Sequence, residues 1–387
     1  MPMSFNRLGP FYRMQRRMGL LTDTDLAAGR RALLFVAIAW LPVLLLAALQ
    51  GFALNDHHER AVLFDFSAYA YAVAIFAFVL MEQASETRMA GLISQFVAQD
   101  IVPETSRGQF AEVRRKMERR TGSTIAEGII LVGAYVVAYV SLQRAAARID
   151  GGTWFGAAVD GSLQLTFAGW WTLLIALPLF WFLLGRWVWR FVTWGWLLRD
   201  VAGCDLKLVA THADRCGGLA FIGQYPNTYL MFVFALSTVV AAMVLKHVVY
   251  TGAELMSFKF ALIGLIAFLA VAFVVPLTAF VPVLSALKKT GLRRYSVLVT
   301  RHNLAFEAKW IDGAQARDEY ALGSPDISSL ADLAASYGTI RSIRPLPVTK
   351  ETIMPLILAA LIPFIGVALT QVPLKQILAE VKGLLLL

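Results

Sequence analysis

The sequence predicts an all-α polytopic membrane protein, a bundle of about seven transmembrane helices with small cytoplasmic helical elements. Three observations predict it. Seven apolar stretches, at 33–53, 63–81, 128–147, 168–187, 228–245, 260–287 and 353–372, each approach the ~20 residues with which a helix crosses ~30 Å of hydrocarbon. The 387-residue chain is 58% hydrophobic with a mean hydropathy of +0.64, so lipid, and not a soluble core, buries most of its side chains. Lys and Arg collect in alternate inter-span segments. Of them, 28 fall before Ala32, between Arg88 and Arg120, between Arg186 and Arg215, and between Lys288 and Lys350, and only 7 fall elsewhere. The positive-inside rule then sets the N-terminus in the cytoplasm and the C-terminus outside.

The net charge of +9 and pI near 9.6 would suggest nucleic acid in a soluble protein. Here the excess lies on the cytoplasmic rims, without a groove-reading motif, so the expected partners are the bilayer and its anionic headgroups and not DNA or RNA. Cys204 and Cys216 fall in a segment expected to face a reducing compartment, which argues against a disulfide. The basic first 31 residues run into an apolar stretch with no small-x-small cleavage site, so this reads as an uncleaved first span. No P-loop, nucleophile elbow or zinc-protease signature occurs, and no cofactor is expected.

Residues 1–32 form a basic cytoplasmic segment, in which Phe11 to Met18 suits a short helix on the inner leaflet. Spans one and two occupy 33–82, with Asp65 near the outer end of the second and a polar turn, Asp56-His57-His58-Glu59-Arg60, ahead of it. Residues 83–127 read as a cytoplasmic amphipathic helical hairpin. Its first helix aligns Met89, Leu92, Ile93, Phe96 and Val97, and Pro103 breaks it. Its second sets Phe110, Val113 and Met117 against Arg114, Arg115, Lys116, Arg119 and Arg120. Thr124 with Glu127 suggests a capping box opening the third span.

Spans three to six fill 128–287, with a cytoplasmic loop at 199–226. The fourth span and its extension to about Leu198 carry seven of the ten tryptophans, Trp170, Trp171, Trp181, Trp187, Trp189, Trp194 and Trp196, a pattern of interfacial anchoring. Arg186 and Arg190 share a face of that helix, as headgroup-seeking anchors or as a ligand or gating pair. Pro276 and Pro282 in the sixth span, and Pro355 and Pro363 in the seventh, predict kinks. Residues 288–352 form a cytoplasmic helical segment: Tyr295 to Thr300 either extends the sixth helix or forms a strand, and Ser324-Pro325-Asp326 starts a helix running to about Tyr337. Residues 353–387 hold the seventh span and a tail whose Leu374, Ile377, Leu378, Val381, Leu384 and Leu385 share one helical face.

Polar chemistry concentrates in the loop after the fourth span. There His212, Asp214 and Arg215 precede Gly217 and Gly218, and with Arg186 and Arg190 they are the candidate ligand-binding residues for a small anion or polar ligand. Alternatively these groups bond neighbouring backbone, or Cys204, His212, Asp214 and Cys216 supply metal donors at a spacing that matches no standard zinc site. The stretch Thr211-His212-Ala213-Asp214-Arg215-Cys216-Gly217-Gly218-Leu219, with Leu333 to Tyr337 and Arg341 to Pro347 downstream, resembles a family of uncharacterised bacterial inner-membrane proteins with a His-Pro-Asp-Arg-x-Gly-Gly-Leu loop. The resemblance implies a bacterial inner-membrane location and brings no activity; Ala213 stands where that pattern has proline, and Cys216 is not part of it. Three functions stay open: a homo-oligomeric channel or transporter for a small ion or solute, a non-catalytic scaffold or sensor acting through its cytoplasmic helices, or a membrane enzyme using the His212, Asp214 and Arg215 loop.

Overall fold

The computed structural model describes residues 6–22, 26–54, 61–147, 153–159, 162–312 and 325–371. Among these residues the chain folds into α1 (Pro10–Arg17), α2 (Ala28–Leu49), α3 (Phe66–Ala98), α4 (Arg107–Thr121), α5 (Thr124–Ala146), a β-hairpin of β1 (Gly156–Val159) and β2 (Ser162–Leu165), α6 (Phe167–Trp171), α7 (Leu177–Ala202), α8 (Leu230–Thr251), α9 (Lys259–Val274), α10 (Val281–Trp310), α11 (Pro325–Arg341) and α12 (Lys350–Ala368). Seven helical stretches are long and apolar enough to cross a membrane. Their apolar sides explain the arrangement, because a helix in lipid satisfies its own backbone and leaves side-chain packing to choose its neighbours.

Central α3 packs against α2, α8 and α7; α12 leans on α8, and α5 and α4 on α7. Where α2 and α5 finish and α3 and α6 start lies the antiparallel β-hairpin, which the hydropathy pattern did not foretell. This is the hairpin end of the bundle. Most of the Lys and Arg lie at the opposite, basic end.

Several local expectations change. The amphipathic stretch around Met89 is no separate helix: α3 runs 33 residues without a break, and Met89, Leu92, Ile93 and Phe96 continue its buried face beyond the apolar span. The turn comes only at Gln99 to Pro103. Ser123, and not Thr124, caps α5, its Oγ accepting from the Ala126 N–H at 3.3 Å, which frees the Glu127 carboxylate for other partners. Trp187 and Trp194 are core residues at 2% and 1% exposure and not interfacial anchors, whereas Trp170 and Trp196 are exposed. Helix α1 packs against α5. Its Tyr12 and Gln15 are buried while Arg13, Arg16 and Arg17 are exposed.

Helix α10 continues through Tyr295 to Thr300 to Trp310, so that stretch extends the sixth helix, and α11 folds back against it. Around Pro276 the sixth helix narrows to a 3-10 segment, Val275–Phe280. The Phe273 carbonyl, which a proline nitrogen cannot serve, accepts from the Tyr225 hydroxyl instead. Pro355 and Pro363 are accommodated inside α12. The polar turn at 56–60, Ser324 and the amphipathic tail lie outside the described residues.

Candidate functional site

At the basic end five ionisable side chains meet inside the bundle. Arg31 of α2, Glu82 of α3, Glu127 of α5, and Arg186 and Arg190 of α7 are each less than 10% exposed. Glu82 is the hub: one carboxylate oxygen pairs with Arg31, and the other lies 3.4 Å from Arg186 and 3.1 Å from Arg190. Arg186 Nε reaches Glu127 at 3.3 Å. The second Glu127 oxygen accepts from the Phe11 backbone N–H at 2.9 Å, and the Phe11 ring lies 4.6 Å beneath the Arg186 guanidinium. The N-terminal segment thereby closes the cluster from below, with Asn6 Nδ2 donating to the Glu82 backbone carbonyl at 2.5 Å and to Ser85 Oγ at 2.8 Å.

Glycine makes this closure possible. Gly9 has φ +92°, and a Cβ there would stand 2.5 Å from Glu127 Oε1. Measured along their helices from Phe66 and Phe167, Glu82 and Arg186 lie about 24–28 Å from the hairpin end, near the far edge of a ~30 Å hydrocarbon layer. Three arginines against two glutamates leave one surplus positive charge. Arg190 Nη1 has no partner among the described residues, and beside it is a void of about 10 Å³ lined by Thr121, Glu127, Arg186 and Trp189, room for roughly one water.

Towards the hairpin end the same helices part around a cavity of about 500 Å³, within the range of small-molecule sites. Trp40 of α2, Tyr71 of α3, Trp181 of α7, and Trp154 and Phe155 beside the β-hairpin wall it, together with Thr172 and Ala176. Those last two bound a single π-helical turn, Thr172–Ala176, a local widening that recurs at functional sites. Asp65 at the rim caps α3 through the Ser67 N–H at 3.0 Å, accepts from Trp154 Nε1 at 2.9 Å, and lies 3.9 Å from Lys246.

The loop that the sequence singled out is built differently. Asp214 accepts from the N–H groups of Cys216 (2.8 Å), Gly218 (3.2 Å) and Ala220 (3.0 Å), and His212 Nδ1 lies 2.8 Å away. Burial opposes its ionisation, but those backbone donors and His212 outweigh burial and hold the carboxyl below its usual range. Gly217 (φ +65°) and Gly218 (φ +101°) supply the left-handed backbone that brings the donors round. The Arg215 side chain is exposed, and its carbonyl accepts from the Arg344 N–H at 2.9 Å. Thus His212 and Asp214 come together, Arg215 points its charge to the surface, and Arg186 and Arg190 belong to the Glu82 cluster.

The alternative metal set does not converge. Cys204 Sγ contacts the Asp200 carbonyl and Cys216 Sγ the Arg344 carbonyl, and no three His, Cys, Asp or Glu side chains gather in metal-binding geometry among the described residues. Burial raises both thiols' pKa values, Asp200 adding to the rise at Cys204.

Sequence reasoning missed Arg31, Glu82 and Glu127, although a signal was present. Glu82 lies on the helical face of Phe78, Ser85 and Met89, and Arg31 on that of Phe35 and Ala39, faces that are otherwise buried. A charge in register with a buried stripe needs a buried partner.

Fold and buried charges define the class, an α-helical multi-pass integral membrane protein. No family model, characterised protein or solved structure matches the chain.

Proposed function

We propose that the chain is a transporter for a small organic solute, with the aromatic cavity as its binding site and the Glu82 cluster as its inner gate. One observation carries this reading: α2, α3, α5 and α7, which line the cavity, are the helices that the cluster ties together beneath it. Buried ion pairs add little stability compared with apolar packing, so five ionisable groups at one level of a membrane bundle are better explained by a contact that opens and hydrates. In this reading the basic end faces the cytoplasm of a bacterial inner membrane, and the cavity faces outward. Homo-oligomerisation suits α9, where Phe260, Ile263, Phe268 and Val271 are exposed on a helix with only Leu269 and Phe273 buried.

The test is two-sided labelling. A cysteine at cavity residue Ala72, in a chain with Cys204 and Cys216 replaced by alanine, should react with a membrane-impermeant thiol reagent from the outer side only. Glu82→Gln, and the milder Arg190→Gln, which leaves two arginines facing two glutamates, should add labelling from the cytoplasmic side. Folded yield is followed alongside by size-exclusion chromatography. Failure of both variants to open the cysteine to the inner side would overturn the gate.

A second reading, a scaffold acting through the basic end, draws support from α10 and α11, where Val297, Leu298, Leu304 and Ile327 are exposed beyond the apolar run of the sixth helix. A stable co-purifying partner lost on Leu304→Asp would favour it. The enzyme reading has less support, because both Asp214 oxygens are engaged in holding the loop.

A further inference from the structure

Two indole groups in the cavity wall have a property the rest of the wall lacks. Trp40 Nε1 and Trp181 Nε1 are each shielded from solvent and have no hydrogen-bond partner among the described residues, on two helices that line the same space. The other wall tryptophan, Trp154, spends its N–H on Asp65. A buried N–H without an acceptor costs about 1–3 kcal/mol, and indole is a donor only, so each ring gains by turning its closed-off N–H edge to an acceptor oxygen held in the cavity.

Charge at the rim decides the sign of that ligand. The ionisable side chains lining the cavity are Asp65, Arg144 and Lys246, one negative and two positive. Asp65 does not offer itself to a cation, since one oxygen accepts from the Ser67 N–H and faces Lys246 while the other accepts from Trp154. Lys246 faces Asp65, so Arg144 is the surplus positive charge at the rim, and it borders an apolar and aromatic interior formed by Ala39, Val43, Ile75, Leu142 and Val239 among others. We infer that the cavity binds an amphipathic organic anion, its carboxylate or phosphate oxygens accepting from Trp40 and Trp181 and its apolar body lying along the aromatic wall. This inference deepens the transport reading and rests on the cavity being the solute site.

The full chain in phosphatidylcholine nanodiscs, with nitrogen-labelled tryptophan, gives a direct readout, because an indole N–H resonance moves when it gains an acceptor. The Trp40 and Trp181 signals are assigned from Trp40→Phe and Trp181→Phe, which keep an aromatic ring and remove the donor together with part of the indole's bulk. Decanoate should shift both signals saturably, and decyltrimethylammonium, with the same chain and opposite charge, should not. Each Phe variant should weaken decanoate binding about tenfold, the worth of one hydrogen bond to a charged acceptor.

Nanodiscs of phosphatidylglycerol separate the two sources of such an anion. If the lipid itself fills the site, the signals start shifted and decanoate adds nothing; if the ligand is a free solute, decanoate acts in both bilayers. Either result supports the anion site. Equal response to both amphiphiles, response to the cation alone, no saturable response in either bilayer, or undiminished binding in both Phe variants would overturn it. Because binding is read without flux, the anion site stands if decanoate binds while the gate variants fail to open, and it falls if they open and no anion binds.

Discussion

Asp214 shows how one carboxylate organises a membrane-edge loop. Its two oxygens hold three backbone N–H groups around Gly217 and Gly218, so Asp214→Ala leaves donors unsatisfied and should lower stability by about 1–3 kcal/mol at neutral pH. The carboxyl titrates below its usual range in the folded chain, so its stabilisation is complete above the ordinary carboxylate pKa of about 3.9 and is lost as pH falls through the lower folded value. The melting-temperature gap between wild type and Asp214→Ala in detergent should therefore be full at about pH 7 and narrow below about pH 4. A gap independent of pH would mean that the charge of Asp214 contributes nothing. Glu82 poses the opposite case, a carboxylate with arginines on both oxygens, where loss of the hub strands buried cations.

Helix α3 carries most of the architecture. Its hairpin-end half lines the cavity, Glu82 anchors the buried charge cluster, and its extension packs Met89, Leu92, Ile93 and Phe96 against the rest of the core. Phe96 is 1% exposed, with Phe110 at 5.8 Å and Phe221 at 5.2 Å between ring centroids, tying α3 to α4 and to the 3-10 segment Ala220–Tyr229 before α8. Phe96→Ala should cost about 3 kcal/mol, read as a fall in thermal midpoint in detergent. An unchanged midpoint would show that this extension is held by its neighbours alone. The 3-10 segment also approaches the α11–α12 connection at Gly223, where a Cβ would collide with the Pro347 carbonyl, so the loop after α7 and the entry to α12 are fixed together.

At the scale of the molecule, the proposed topology has a simple check. Reporters fused after Gly122 should behave as cytoplasmic and one after Ala157 as periplasmic, from the 28 to 7 division of basic residues. A periplasmic signal at Gly122 would invert the gate and the cavity together. The bundle otherwise divides its labour along its length, with an aromatic cavity towards the hairpin end and a charge cluster towards the basic end.

The sequence by itself determined that the chain lives in a membrane, how many helices cross it, and which faces of 89–97 and 110–117 are buried, because hydropathy and helical period are sums over neighbouring residues. It also located Arg186 and Arg190, and the concentration of polar groups at 212–215. Only the tertiary structure decided what those residues meet. Glu82 lies 51 positions from Arg31, 104 from Arg186 and 108 from Arg190, and whether such groups touch depends on the order of helices around the bundle, which no local pattern encodes. The same holds for the loop, where glycines with positive φ turned Asp214 inward to its own backbone and left Arg215 at the surface.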